Sequence, residues 1–181
     1  MKISQHITYA EAIHSNTAKR KGIDNTPNSS QVEVMKVTAE KIFEPLREWV
    51  GGPIKVNSFF RSVALNESIG GVASSQHCKG QALDLDDVYN YKTNAEMYHW
   101  IKDNLNFDQL IWEFGTDVSP NWIHVSYVSE EENRNRCLKA YKEGQKRSGG
   151  KVRKNQKSFM KNAKKKSKSI IKKKKSNGKK R

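Results

Sequence analysis

Charge is distributed so unevenly along this chain that only part of it can build a core. From Gln145 to Arg181, 18 of 37 residues are Lys or Arg and none is Asp or Glu. Of 34 basic and 19 acidic side chains in the whole chain, the first 144 residues therefore hold 16 and 19. The net +15 is a body near −3 joined to a tail of +18. The tail's apolar residues are Val152, Phe159, Met160, Ala163, Ile170 and Ile171. That is too little burial to offset chain entropy, so residues 145–181 are expected to be disordered. The body is long enough for one domain with a real core, and it holds all four Trp and all six Tyr. A uniformly basic nucleic-acid-binding domain is thereby disfavoured.

Cys78 and Cys137 do not make a disulfide framework. The segment from Met1 to His6 lacks the apolar run of a signal peptide, and no stretch approaches the roughly 20 apolar residues of a membrane span. The expectation is a soluble chain made in the cytosol and delivered elsewhere by other means.

Hydrophobic spacing divides the body into helices followed by strands. Thr8–Lys21 reads as a short helix with a capping-box start at Thr8 and Glu11. A longer helix opens at Ser29 or Ser30. Its apolar stripe is Val32, Met35, Ala39, Ile42, Phe43, Leu46 and Trp49. Pro45 predicts a kink, and Gly51-Gly52-Pro53 ends the helix. The period then becomes two: Ile54, Val56 and Ser58 alternate with Lys55 and Asn57. A short helix is expected over 63–69, strands over 81–88, 109–114 and 122–128, and a helix over 94–105. Ser129 followed by three Glu predicts a last helix running to about Lys142. The class is α+β, with a small antiparallel sheet packed with helices.

Five histidines are present. His6 and His14 lie in the N-terminal helical region and His99 beside Trp100 on a helix; all three read as non-ligands. His77 stands just before a Gly turn with Asp84 on the strand after it. His124 sits in an aromatic-rich strand, between Ile123 and Val125 of the opposite face. Two imidazoles and one carboxylate suit a zinc ion with its fourth position open to water. A bound zinc brings the pKa of that water to about 7. Candidate general bases are Glu113, Asp117, Asp86 and Asp87. If 109–114 and 122–128 form a hairpin with 113 opposite 124, then Gln109, Ile111 and Glu113 lie beside Trp122, His124 and Ser126. A carboxylate on so apolar a strand is costly without a role or a partner, which favours Glu113. The alternative is a carboxylate that only orients a zinc ligand.

The run Ser75-Gln76-His77-Cys78-Lys79-Gly80-Gln81-Ala82-Leu83-Asp84 resembles the Ser-x-His-x-x-Gly-x-Ala-x-Asp motif of the zinc D-Ala-D-Ala carboxypeptidase family, whose superfamily includes hedgehog signalling domains. Trp122 and His124 match the later Trp-x-His. The 22–27 segment, Pro45-Leu46-Arg47, Phe59-Phe60-Arg61-Ser62, Asn66 and Gly70-Gly71 are similar to a phage and bacterial peptidase branch, over roughly residues 1–142. The resemblance implies a hedgehog/DD-peptidase-like fold and one Zn2+ held by His77, Asp84 and His124. It also implies an acidic catalytic residue before the last His, and Arg61 facing a substrate carboxylate, a role suited to a bidentate guanidinium. Ser75 would hydrogen-bond substrate or hold the ligand loop. One position departs. Several members carry an acid three residues before the last His, where this chain has Asn121. Hedgehog-like members place the acid farther upstream, and Glu113 fits that arrangement.

The expected function is a monomeric zinc peptidase cutting peptide bonds of bacterial peptidoglycan, as a D-Ala-D-Ala carboxypeptidase or an endolysin-type endopeptidase, encoded by a phage or prophage. It would reach the wall through a lysis pore or in a phage particle. The alternatives are a non-catalytic zinc-containing wall-binding module of the same fold and a tail-driven nucleic-acid-binding protein. The tail's lysine runs suit an anionic wall polymer or membrane surface. With Phe159 as its only aromatic residue, the tail offers little for base stacking.

Overall fold

A computed structural model of the chain describes residues 1–141. The proposed tail, the 144/145 boundary and the end of the last expected helix lie outside these residues. Six α-helices and five strands are found among them: α1 (Tyr9–Ala12), α2 (Asn16–Lys21), α3 (Ser29–Thr38), α4 (Glu44–Val50), β1 (Lys55–Ser58), α5 (Val63–Ser68), β2 (Ala82–Asp86), α6 (Asn94–Asn104), β3 (Gln109–Glu113), β4 (Trp122–Ser126) and β5 (Arg136–Ala140). The class is α+β, as the spacing predicts.

Local chemistry sets the helix ends. The expected single helix over 8–21 is two, because Ser15 caps a new start: its hydroxyl accepts from the Ala18 N–H. Asn28 and Gln31 form a capping box at α3. Between α3 and α4 a single π-helical stretch, Ala39–Phe43, widens the backbone. Pro45, in the first turn of α4, has no N–H to return to Lys41, so the predicted kink takes the form of this wide turn. Gly51 ends α4 at φ 74°, the left-handed conformation that glycine adopts without strain.

The strands form one sheet in the order β1-β2-β4-β3-β5. The first four pair antiparallel, but β5 runs parallel to β3, so the sheet is mixed rather than antiparallel. β5 also replaces the expected last helix. The helical start is genuine for one turn: the Glu132 N–H donates to Ser129 Oγ and the Asn133 N–H to the Ser129 carbonyl. Asn133 then turns back to accept from the Val128 N–H, and Asn135 takes a left-handed φ of 48°. The chain leaves the helix there and pairs with the free edge of β3, satisfying backbone groups that an edge strand exposes.

Alternation divides the sheet into two faces. Leu83, Leu85, Leu110, Trp112, Ile123 and Val125 share the core with Met35, Ile42, Phe43 and Leu46 from the α3–α4 side and with Met97 and Ile101 of α6. A fully buried Leu or Ile of this set is worth about 1.5–3 kcal/mol. On the other face a row crosses all five strands in register: Ser58, Asp84, His124, Ile111 and Leu138. The register of β1 and β2 shifts between Val56 and Ser58. The extra residue puts Ser58, rather than Asn57, opposite Asp84, which is how a bulge re-aims a side chain.

Candidate metal centre

His77 occupies a 3-10 turn, Gln76–Lys79, that ends at Gly80 with φ 74°. Three neighbours grip this turn. Gln31 of α3 donates its amide to the Cys78 carbonyl at 3.0 Å, the Arg61 N–H donates to the His77 carbonyl, and the Gln76 amide donates to Asp108 at 2.9 Å. Gly80 lies so close to α3 that an added Cβ would come within 2.6 Å of Met35 Cγ and 2.9 Å of the Gln31 carbonyl oxygen.

The imidazole of His77 is buried and donates from Nδ1 to the Phe59 carbonyl at 2.7 Å. That bond fixes the tautomer and leaves the Nε2 lone pair facing inward. Nε2 lies 3.2 Å from Asp84 Oδ1 and 3.2 Å from His124 Nδ1. His124 Nδ1 lies 2.8 Å from the same Asp84 oxygen. Three electron-rich atoms this close need a shared proton or a cation between them. Ligands about 2.1 Å from a tetrahedral ion stand about 3.4 Å apart, close to the spacings seen, so the donor set fits one metal ion. The fold thus brings together the three residues that the sequence motifs single out, with their ligand atoms within 4.8 Å of one another.

The two oxygens of Asp84 face different partners. Oδ1 faces the imidazoles, and Oδ2 accepts from Arg61 Nη2 at 2.6 Å. Arg61 Nε donates to Ser58 Oγ at 2.8 Å. Arg61 is thus bound into the site rather than splayed on the surface. Burial works against the Asp84 carboxylate, but the two imidazoles outweigh it and hold its pKa far below the usual carboxylate range. Burial also pushes His77 down, favouring the neutral imidazole that a metal needs.

Glu113 lies on the same face but not directly opposite His124. It pairs with Trp122, and Ile111 pairs with His124. The assumed register is therefore wrong by two residues, which preserves the face and shifts the pair. The loop sets the register: Phe114 and Gly115 take left-handed φ of 54° and 72°, and the Asn121 N–H closes onto the Glu113 carbonyl at 3.0 Å. Burial pushes the Glu113 carboxyl up, while the charges of His124 and Arg61 oppose the shift and that of Asp84 adds to it. No hydrogen bond to its carboxylate is found among the described residues. The other candidate bases are occupied. Asp86 accepts from Asn57 and Asn94, Asp87 accepts from the Asn94 N–H, and Asp117 pairs with Lys139. Ser75 precedes the His77 turn, and its side chain makes no capping bond to it.

A family model described as Peptidase M15 matches residues 5–126. The chain belongs to that family. M15 peptidases are zinc-dependent hydrolases, and the matched residues span every side chain of the centre. His6, His14 and His99 stay outside the cluster. Sequence reasoning missed the Phe59 carbonyl, a backbone group with no residue-type signal, and the Ser58 hydroxyl, re-aimed by the bulge.

Proposed function

We propose that this M15 peptidase hydrolyses peptide bonds in bacterial peptidoglycan, with His77, Asp84 and His124 holding one zinc ion and Glu113 as general base. The observation that carries the reading is the convergence of His77 Nε2, Asp84 Oδ1 and His124 Nδ1 on a face that also bears a half-buried carboxylate with no bonded partner among the described residues.

Bound zinc supplies a Lewis acid that polarises a carbonyl oxygen and acidifies water. The protein's own contribution is orientation and proton handling. The Phe59 carbonyl fixes the His77 tautomer, and Arg61 holds Asp84 Oδ2 so that Oδ1 points at the two imidazoles. Glu113, with its pKa raised by burial, takes a proton from water and returns it to the leaving amine. The side of the Arg61 guanidinium not bound to Ser58 or Asp84 and the Ser75 hydroxyl are the groups that would meet a substrate carboxylate or backbone. D-Ala-D-Ala carboxypeptidase and endolysin-type endopeptidase activities use the same centre. A phage or prophage source fits either, with arrival at the wall through a lysis pore or in a particle.

Digestion of purified muropeptides, followed by mass spectrometry, tests the reading and identifies the bond. The parent protein should release product in a zinc-dependent manner. Glu113→Gln should keep its zinc and lose turnover by about 10²–10⁴-fold. Unchanged turnover in that variant removes Glu113 as base. Full zinc occupancy in His77→Ala refutes the ligand set, and a zinc-loaded parent inert on every muropeptide favours a wall-binding module.

A further inference from the structure

The family match ends at residue 126, yet the chain beyond it reaches back to the His77 turn. Asp108, just before β3, is almost fully buried at 1% exposure. Arg134 grips it with two bonds, Nε to Oδ1 and Nη2 to Oδ2, each 2.6 Å. The Arg134 N–H adds a longer bond at 3.3 Å. The remaining donor to Asp108 is the side chain of Gln76, at 2.9 Å. Gln76 is itself held from β3: Gln109 Nε2 donates to Gln76 Oε1 at 2.9 Å. The next residue is His77.

We propose that Arg134, Asp108 and Gln76 form a positioning relay that fixes the His77 imidazole from a segment outside the family-matched residues. This inference rests on the metal-site reading above. A single hydrogen bond from His77 Nδ1 to Phe59 sets the ring's tautomer, but it does not set the height of the turn over the sheet. Gln31 and Arg61 hold the turn from α3 and from the 59–62 segment, and the relay holds it from the sheet, because Gln76 has its amide oxygen and nitrogen tied to two successive residues, Gln109 and Asp108. A buried carboxylate must be fully bonded, and Asp108 meets that demand only when Arg134 and Gln76 are both in place. Folding of the 129–136 segment and placement of the Gln76–Lys79 turn are thereby tied together. The parallel pairing of β5 follows immediately, with the Arg136 N–H donating to the Asp108 carbonyl at 2.9 Å. None of the three touches the site's donor atoms, so they are positioning residues.

The test uses the full chain and reads metal affinity in place of activity. Gln76→Met, Arg134→Gln and Asp108→Asn are titrated with zinc against a chelator, and the cobalt-substituted proteins are compared by visible absorption. Melting of the metal-free forms is followed in parallel. A group bonded directly to a metal ligand is worth about 10–100-fold in metal affinity, and a relay acting through the neighbouring residue should cost less. Gln76→Met and Arg134→Gln should each raise the zinc Kd by about 3–10-fold and alter the cobalt spectrum, with the metal-free fold retained. The double variant should lose less than the product of the two single losses, because both cut one relay. Gln76→Met and Arg134→Gln with zinc Kd within about twofold of the parent and unchanged cobalt spectra overturn the relay, even if Asp108→Asn does not fold. A parent that binds no zinc sinks the metal centre itself, an outcome distinct from a parent that binds while the variants match it.

Discussion

At Glu113 the proposed role as base and the stability of the fold pull in opposite directions. Burial lifts its carboxyl above the ordinary Glu value near 4.3, and no donor among the described residues compensates. With a folded pKa above the unfolded one, the native state binds more protons between the two. Stability therefore falls as pH rises through that window, and the full cost is present above the folded pKa. The amide introduced by Glu113→Gln has no such titration. The metal-free Glu113→Gln protein should melt above the metal-free parent at pH 7, and the difference should close below about pH 4. Thermal melts at the two pH values check this. A gap independent of pH, or a less stable variant at pH 7, would show that the carboxylate is not held at a cost. Asp84 has the opposite sign, since its depressed pKa makes it a source of stability at neutral pH that acid removes.

At the scale of elements, the His77 turn depends on how closely α3 approaches it, and Gly80 sets that distance. Its φ of 74° is strained for any residue with a Cβ, and the added atom would meet Met35 and the Gln31 backbone at 2.6 and 2.9 Å. Gly80→Ala should destabilise the fold by at least about 1 kcal/mol. Because the contact is partly with helix backbone, the turn rather than α3 should yield, and zinc affinity should fall more than stability predicts. A melt paired with a zinc titration reads both, and unchanged values in each would mean the turn has slack. The Gly80 position was visible in the sequence as part of a spaced motif, and so were His77 and Asp84, because the spacing is local. The faces of β2 and β4 were visible as well, since a period of two fixes which residues share a side. The hairpin register was not, because it depends on Phe114 adopting a left-handed conformation that its side chain does not advertise. The run Ser129–Glu132 spelled a helix start and delivered one turn. Pairing with the open edge of β3 then outweighed local propensity, as tertiary contacts commonly do.

At the scale of the whole molecule, the proposal drawn from the charge division is that the two parts have separate tasks. The proposed centre draws on His77, Asp84, His124, Arg61 and Glu113, all within the near-neutral body and before the 18 basic residues that follow Gln145. We propose that those residues act where substrate is part of an anionic surface. Each Lys or Arg near such a surface contributes about 1 kcal/mol, so a few of them engaged at once would suffice for the proposed retention on an anionic wall. The attraction is screened beyond a Debye length of about 8 Å at physiological salt. If the tail acts only as a tether, a 1–144 truncation should turn over soluble muropeptides within about twofold of the full chain. On intact cell walls bearing anionic polymer the same truncation should lose adsorption. The full chain should release steeply as salt rises, as a polyelectrolyte contact does. Sedimentation with walls, with anionic vesicles and with duplex DNA across a salt series separates the partners. Equal adsorption by the truncated body, or adsorption indifferent to salt, refutes an electrostatic tether. Retention on DNA at salt concentrations that release the chain from walls and vesicles would turn the assignment toward nucleic acid.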